Sequence, residues 1–180
     1  NPDFTVIPFL GCTCIADCKD LAVYAKQIGL RAVAFTTPFY FKPANAAALA
    51  KACIEIGEAV PELAFYYYHI PVLTGVHITM YELLQAIHCK LANFTGIKYT
   101  HEDFMDYLSC MRFANGAYDM LWGRDENMLS ALVLGAKGAV GSSYNYAAPL
   151  YLSLIDAYNN HDFEKARVLQ QQSIDMIRLL

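Results

Sequence analysis

The chain has 180 residues, enough for one good-sized domain or two small ones at most. Its hydrophobic fraction is 56% and its charged fraction only 17%, which excludes a disordered chain, a coiled coil and a charged-tail protein. The net charge is −4 and no basic stripe is visible, so the composition argues against a nucleic-acid partner. No apolar run approaches the ~20 residues that cross a bilayer.

The chain carries six cysteines. Three of them, Cys12, Cys14 and Cys18, stand as C-x-C-x3-C, a spacing that fits none of the usual zinc sites. The sequence shows no signal peptide, and a chain with so rich a core does not need disulfides to fold. We therefore expect reduced thiols, a cytoplasmic location and no bound metal.

Short apolar runs alternate with helical patterns along the whole chain. The predicted strands, spaced at roughly 20–30 residues as in βαβ units, are Phe4–Leu10, Arg31–Thr37, Leu63–His69, Phe94–Lys98, Tyr118–Trp122 and Gly138–Ser142. The predicted helices are Asp17–Ile28, Pro43–Ala59, Met80–Leu91, Glu102–Phe113, Asn127–Leu134, Ala148–Asn159 and Phe163–Leu180. The strands are nearly continuous apolar runs, which indicates a parallel sheet buried on both faces.

This alternation fits an open doubly wound sheet or part of a (β/α)8 barrel. No linker divides the chain, so we predict a single domain over residues 1–180, with C-terminal helices from about residue 148 onward. In both architectures functional side chains lie at the carboxyl ends of strands. The residues at those ends are mostly polar or ionisable, and they include Thr36, Thr37, Tyr40, Tyr68, His69, Lys98, Thr100, Gly123, Asp125, Glu126, Ser142 and Ser143.

Lys98 ends an apolar strand, and Tyr68 ends the strand before it. A lysine in this position either extends to solvent or stays desolvated in a cavity. Desolvation lowers the pKa of a lysine, and the neutral amine that results is the nucleophile for imine chemistry on a ketone. A phenol at the same end could pass protons during that chemistry. Spacing alone does not separate this pair from a solvent-exposed lysine beside an aromatic core residue.

Asp125 and Glu126 follow the fifth predicted strand, and the segment 138–143 contains the sixth. Carboxylates and glycine backbone at strand ends suit polyhydroxylated ligands. The two acids are equally compatible with the first turn of the next helix. The glycines of 138–143 could instead form a phosphate-binding turn, so a doubly wound domain with a phosphorylated ligand is one alternative function.

Four segments, taken together and in this order, carry a family resemblance. They are Tyr66–Gly75 (YYYHIPVLTG), Gly96–Thr100 (GIKYT), Gly123–Glu126 (GRDE) and Gly138–Tyr146 (GAVGSSYNY). The chain resembles the animal-type N-acetylneuraminate lyases, the sialic-acid aldolases among the dihydrodipicolinate synthase-like class I aldolases. The resemblance implies a (β/α)8 barrel, a homotetramer, and a Schiff-base reaction that cleaves N-acetylneuraminate to N-acetylmannosamine and pyruvate without metal or cofactor.

The resemblance also assigns roles to residues. Lys98 is the lysine that forms the imine, and Tyr68 transfers protons. Tyr40 matches a tyrosine that supports the proton relay, in relatives often across a subunit contact. Leu73 stands where the synthase relatives have an arginine, which favours the lyase because leucine cannot pair with a second carboxylate. The positions that hold the hydroxyl tail of the sugar are Thr100, Gly123, Asp125, Glu126 and Ser142.

The length departs from the family. A full barrel has eight strands and typically ~250 residues, whereas this chain shows six predicted strands in 180 residues. Aligned to the family, it starts near the third barrel strand, lacks about the first two βα units, and is cut short in the C-terminal helices. We expect a partial barrel that is a poor catalyst alone, or none. A natural short form without catalysis is the second alternative.

Overall fold

The computed structural model describes residues 4–11 and 13–179. The described residues up to Asp119 form one compact unit, and those from Met120 onward form a second. That the whole chain is a single domain stays a prediction. None of the described helices is long and apolar enough to cross a membrane.

Strands and helices alternate in the first unit, as the sequence predicts. Its elements are α1 (Ile15–Gln27), β1 (Ala32–Phe35), α2 (Ala46–Gly57), β2 (Ala64–His69), α3 (Pro71–Thr74), α4 (Met80–Ile87), β3 (Phe94–Tyr99) and α5 (Phe104–Arg112). Strand β4 (Asp119–Trp122) contains the boundary between the units. The second unit continues with α6 (Met128–Leu134), α7 (Tyr144–Asn159) and α8 (Phe163–Ile177). Two 3-10 turns cover Phe113–Asn115 and Asp125–Asn127.

Strands β1, β2 and β3 pair in parallel and in chain order. The β1–β2 ladder runs without interruption to the pair Phe35–Tyr67. The β2–β3 ladder contains one irregularity, because Phe65 pairs with Phe94 whereas Tyr66 pairs with Gly96. One residue of β3 is therefore extra at this point, which makes it a β-bulge.

The hydrophobic core of the first unit lies where the sheet meets its helices. Phe35 and Phe65 are fully buried, and Phe94 follows in the same row, with ring centroids 6.4 and 6.3 Å apart. Buried aliphatic residues of α2 and α4 complete this core, among them Leu49, Ile56, Leu83, Leu84 and Ile87. Apolar burial on this scale is the main stabilising contribution to the fold.

The first and sixth predicted strands are each reduced to one isolated bridge, of Phe9 with Ala34 and of Ala139 with Trp122. At the first bridge Leu10 N–H donates to the Ala34 carbonyl and Ala34 N–H donates to the Pro8 carbonyl. At the second bridge Trp122 N–H donates to the Gly138 carbonyl and Val140 N–H donates to the Trp122 carbonyl. An apolar run satisfies the side-chain requirement of a strand, but a strand also needs a ladder of main-chain partners.

Three of the described helices differ from the prediction by four residues or more. Helix α4 ends at Ile87 and not at the predicted Leu91. Helix α3 was missed, although Pro71 stands at its first position, where proline is favoured. Helix α7 begins at Tyr144, earlier than the predicted start near residue 148. Pro149 signals a helix start in the sequence, but here the helix continues toward its N-terminus through a bend at Ala147 (φ −120°, ψ 24°).

A buried carboxylate ties three elements of the first unit together. Asp106 of α5 accepts hydrogen bonds from the N–H groups of Met80 and Tyr81, at 2.9 and 3.0 Å, and so satisfies the first turn of α4. It also accepts from the phenol of Tyr99 in β3, at 2.9 Å. The position of α4 and α5 behind β3 therefore depends on one charged side chain.

Gly96 packs directly against the main chain of Asp119, so a Cβ at this position would collide with the Asp119 carbonyl oxygen. We predict that Gly96→Ala lowers the free energy of unfolding by about 1–3 kcal/mol, because main chain cannot move aside cheaply. Gly57→Ala is the matched control, since the nearest atoms there are side-chain methyls of Leu91. Urea unfolding measures both. Equal losses in the two variants would contradict the prediction.

Candidate active site

The two residues predicted to carry the chemistry lie side by side in the first unit. Tyr68 of β2 and Lys98 of β3 are register partners at the carboxyl ends of adjacent strands. The Nζ atom of Lys98 lies 3.9 Å from the centroid of the Tyr68 ring. Both side chains are half-buried. An amine held over a phenol ring at a strand end is an arrangement in which imine chemistry and proton transfer can be combined.

Two contacts hold Tyr68 on the side away from Lys98, one from Phe9 and one from Thr36. The Phe9 ring meets it edge-on, with centroids 5.8 Å apart. The Thr36 hydroxyl, just beyond β1, donates a hydrogen bond of 2.9 Å to the Tyr68 carbonyl. The sequence places Thr36 at the right end of the sheet but gives no sign of this bond, because its partner lies 32 residues away.

Thr100 and Tyr40 also belong to the first unit. Thr100 N–H donates to the His69 carbonyl at 2.8 Å, which continues the β2–β3 ladder past Lys98. Its hydroxyl is buried, and no group within residues 4–11 or 13–179 hydrogen-bonds to it. A buried hydroxyl without a partner is costly and is typical of a position that a ligand completes. Tyr40 is 76% exposed, and its ring meets that of Phe41 edge-on, with centroids 4.9 Å apart.

The remaining predicted residues lie in the second unit. Gly123 directly follows β4, and Ser142 is exposed. Glu126 forms an ion pair of 2.7 Å with Arg124. Asp125 is only 7% exposed, and its carboxylate accepts hydrogen bonds from both the N–H and the hydroxyl of Ser143.

Asp125 is thereby joined to a buried polar network that the sequence did not reveal. The Ser143 hydroxyl also bonds to the Tyr151 phenol at 2.6 Å, and this phenol bonds to the Ser173 hydroxyl at 2.8 Å. Gln170 donates to the Asp125 carbonyl and accepts from Leu129 N–H. Helices α7 and α8 therefore fix the loop around Asp125. No spacing rule links residues so far apart along the chain.

On the helix side of β2, the ring of His69 lines a small polar cavity of about 90 Å³. The titratable residues around this cavity are His69, His77, His101, Asp103 and Asp106. Burial, reinforced by His101 and His77 and opposed by Asp103, lowers the pKa of His69 to about 3. His69 is therefore neutral at physiological pH.

Metal ligands were not expected from the sequence. Within the described parts of the chain, no three His, Cys, Asp or Glu side chains are arranged to hold a metal ion. Cys12 of the C-x-C-x3-C motif lies outside the described residues. Cys14 is exposed, and the Cys18 thiol donates to the Leu10 carbonyl at 3.2 Å. The thiols of Cys53, Cys89 and Cys110 are free.

Comparison with known proteins agrees with the geometry. The model of the dihydrodipicolinate synthetase family matches residues 3–180. The chain belongs to this family. It is 39% identical to N-acetylneuraminate lyase B of Xenopus laevis over 165 residues, which is 92% of this chain and 62% of the relative. It is 40% identical to N-acetylneuraminate lyase of Rattus norvegicus over 162 residues, which is 89% of this chain and 51% of the relative.

Solved structures show the same relationship. The chain superposes on the N-acetylneuraminate lyase of Proteus mirabilis with a TM-score of 0.95 and 36% identity, covering 98% of this chain and 60% of that one. For the sialic acid aldolase of Ruminococcus gnavus the TM-score is 0.88 at 30% identity, covering 99% and 58%. The fold class predicted from the sequence, part of a (β/α)8 barrel, is confirmed. The chain spans about half to three-fifths of the length of these relatives.

The neutral state of His69 predicts a pH dependence of stability. An unfolded histidine takes up a proton near pH 6.5, whereas folded His69 does so only at about pH 3. Between these values the unfolded state binds the additional proton, so acidification lowers the free energy of unfolding by up to ~1.4 kcal/mol per pH unit. We predict that His69→Gln removes this contribution, as measured by urea unfolding between about pH 6 and about pH 4, inside the window that the unfolded and folded pKa values define.

His161→Asn is the control, because His161 is exposed and has a positive φ of 62° that asparagine adopts readily. This variant should keep the slope of the unsubstituted chain. An unchanged slope in His69→Gln would refute the role of His69.

Proposed function

We propose that the protein to which this chain belongs is a Schiff-base aldolase, an N-acetylneuraminate lyase that cleaves N-acetylneuraminate to N-acetylmannosamine and pyruvate. The observation that carries the proposal is the position of the Lys98 amine, 3.9 Å from the Tyr68 ring centroid at the ends of two parallel strands. The similarity to lyases over 89–92% of the chain supports the same reaction.

In the proposed reaction the Lys98 amine attacks the ketone carbon C2 of the open-chain sugar acid, and loss of water gives an imine. The protonated imine withdraws electrons, the C3–C4 bond breaks, and a proton leaves the C4 hydroxyl. The electron pair of the broken bond forms the C2=C3 double bond of an enamine, and the C=N electron pair moves to the nitrogen. Protonation at C3 and hydrolysis then release pyruvate and restore the amine. Because the imine nitrogen is the electron sink, the reaction needs neither a metal ion nor an organic cofactor.

Tyr68 has two parts in this proposal. Its phenol passes the proton between the C4 hydroxyl and the reacting carbon, as the resemblance implies. Its ring face attracts positive charge, and the protonated imine is a cation formed on the very nitrogen that lies over the ring. The contact thus favours the charged intermediate.

The substrate-binding and relay residues remain proposals carried by the resemblance. The hydroxyl tail of the sugar is assigned to Thr100, Gly123, Asp125, Glu126 and Ser142. The unpartnered hydroxyl of Thr100 supports its assignment, and the buried network supports a fixed orientation of Asp125. Tyr40 is proposed to support the relay through Tyr68. Its exposure of 76% leaves it available for a subunit contact.

We predict that pyruvate and sodium borohydride attach one reduced pyruvate-derived group to the chain, at Lys98, because borohydride reduces an imine to a stable amine. Mass spectrometry of the intact chain and of its peptides detects the group. Lys98→Ala should abolish the adduct, and Lys90→Ala, which changes an exposed lysine, should retain it. An adduct that persists in Lys98→Ala would exclude Lys98 as the nucleophile.

We further propose that copies of the protein assemble into a homotetramer in the cytoplasm. Free thiols at Cys53, Cys89 and Cys110 suit a reducing compartment. Assembly is supported by an exposed apolar patch formed by Phe39, Tyr40, Phe41, Val72 and Leu73, which we call the aromatic patch. The patch is made of two segments, 39–41 and 72–73. These segments lie near each other, because the Lys42 amine, just after the first, lies beside Gly75, just after the second. Exposed apolar groups of this density are typical of interaction surfaces.

We predict that the double variant Phe41→Ser, Leu73→Ser shifts sedimentation equilibrium toward the monomer by at least about tenfold in the dissociation constant. The two side chains are 82% and 77% exposed, and their burial in an interface contributes more than ~1.4 kcal/mol. Met105→Ser is the control, because Met105 is equally exposed, at 79%, but lies on α5. Association that is equally weakened by Met105→Ser would argue against the aromatic patch.

A further inference from the structure

The threonine pair that follows β1 contacts two tyrosines of β2, Tyr67 and Tyr68. The Thr36 hydroxyl donates to the Tyr68 carbonyl at 2.9 Å. Thr37 hydrogen-bonds to the Tyr67 phenol, which opposes the rise that burial produces in the pKa of that phenol. Thr36 is 5% exposed and Thr37 is 1% exposed. Two buried threonines thus hold the C-terminal residues of β2 before the chain leaves the sheet.

The bond from Thr36 acts where the regular ladder stops. The β1–β2 pairing ends with Phe35 and Tyr67, so Tyr68 lies one residue beyond it. On the opposite edge of β2, the His69 carbonyl accepts from Thr100 N–H. On the β1 side, the Tyr68 carbonyl is therefore held by a side-chain hydroxyl. On the β3 side, the His69 carbonyl is held by a main-chain N–H group.

We propose that Thr36 is a positioning residue for Tyr68. Its hydroxyl fixes the peptide group that follows Tyr68, and with it the direction in which the phenol ring lies under the Lys98 amine. Thr36 touches neither Lys98 nor substrate in this role, and acts only through Tyr68. The inference rests on the proposed function, because it assigns Thr36 to the proton-transfer step of the same site.

The Thr36 hydroxyl affects the position of Tyr68 more than the overall stability of the fold. A buried carbonyl that loses its donor carries an energetic penalty, and rotation of the peptide group toward solvent or another donor would reduce that penalty. A reacting pair tolerates only displacements well below 1 Å, because a misplacement of about 1 Å slows the reaction by a large factor. Removing the Thr36 hydroxyl should therefore slow the chemistry more than it destabilises the fold.

The experiment measures the rate at which pyruvate and sodium borohydride label Lys98, in four versions of the chain: unsubstituted, Thr36→Val, Tyr68→Phe and the double variant. Valine keeps the shape of threonine without the hydroxyl. We expect Thr36→Val to slow labelling by about three- to tenfold, as expected for the loss of one neutral hydrogen bond. In the Tyr68→Phe background the same substitution should change the rate by less than about twofold, because the phenol is already absent.

Two further variants separate positioning from a general effect on the fold. Thr36→Ser restores the hydroxyl and should recover most of the labelling rate. Thr74→Val removes another buried hydroxyl that donates to a main-chain carbonyl, with 6% exposure and a 3.1 Å bond to Ile70, and should leave the rate unchanged. Thermal unfolding of each variant confirms that the folded state is populated at the assay temperature.

The outcomes are distinct. Slower labelling that disappears in the Tyr68→Phe background and is rescued by serine supports the role of Thr36. Equal slowing in both backgrounds means that Thr36 acts through the fold, and an unchanged rate means that it does not act at all; either result overturns the inference. Absence of any Lys98 adduct in the unsubstituted chain is a failure of the proposed function, and the role of Thr36 falls with it.

Discussion

The site depends on one irregularity in the β2–β3 ladder. Phe94 pairs with Phe65 on the helix side of the sheet, and in a strand without interruption Lys98, four residues later, would share that face. The extra residue at Thr95 reverses the alternation, so that Lys98 pairs with Tyr68 on the opposite face. Without this bulge the amine would point into the packed helices and would not lie over the phenol ring.

Because of the bulge, the proposed site residues share one face of the sheet and the residues that follow them share the other. Tyr68 and Lys98 occupy one face, while the next residues, His69 and Tyr99, face the helices. Tyr99 is fixed by its hydrogen bond to Asp106, and the His69 ring lies 5.0 Å from the Tyr99 ring. The residue that follows each proposed site residue is therefore held on the helix side of the sheet, and this contact fixes the main chain that carries Tyr68 and Lys98. Rigid support of this kind is what a preorganised site requires.

The sequence predicts the alternating elements and the strand ends well, because continuous apolar runs and helical spacing reflect burial directly. The tendency of a residue to be buried depends on its own side chain, so the apolar composition of Ala64–His69 and Phe94–Tyr99 identifies them as strands. The sequence could not show that the runs near Phe9 and Ala139 make only single bridges, because pairing depends on main-chain partners elsewhere. Nor could it show the bulge at Thr95, since local composition does not record the register of two strands.

The same distinction applies to the site. The proximity of Lys98 and Tyr68 could be predicted because each lies near the end of a strand, and the parallel arrangement brings strand ends to one edge. Asp125 shows the limit of such reasoning. Its position after β4 suggested either a ligand contact or a helix-start acid, but its carboxylate is held by Ser143, which Tyr151 holds in turn. A carboxylate oriented by a buried network is restricted in the directions from which it can accept a further hydrogen bond. For the ligand contact proposed at Asp125, the network therefore limits the geometry, and this limit comes from Ser143 and Tyr151 rather than from the segment that contains Asp125.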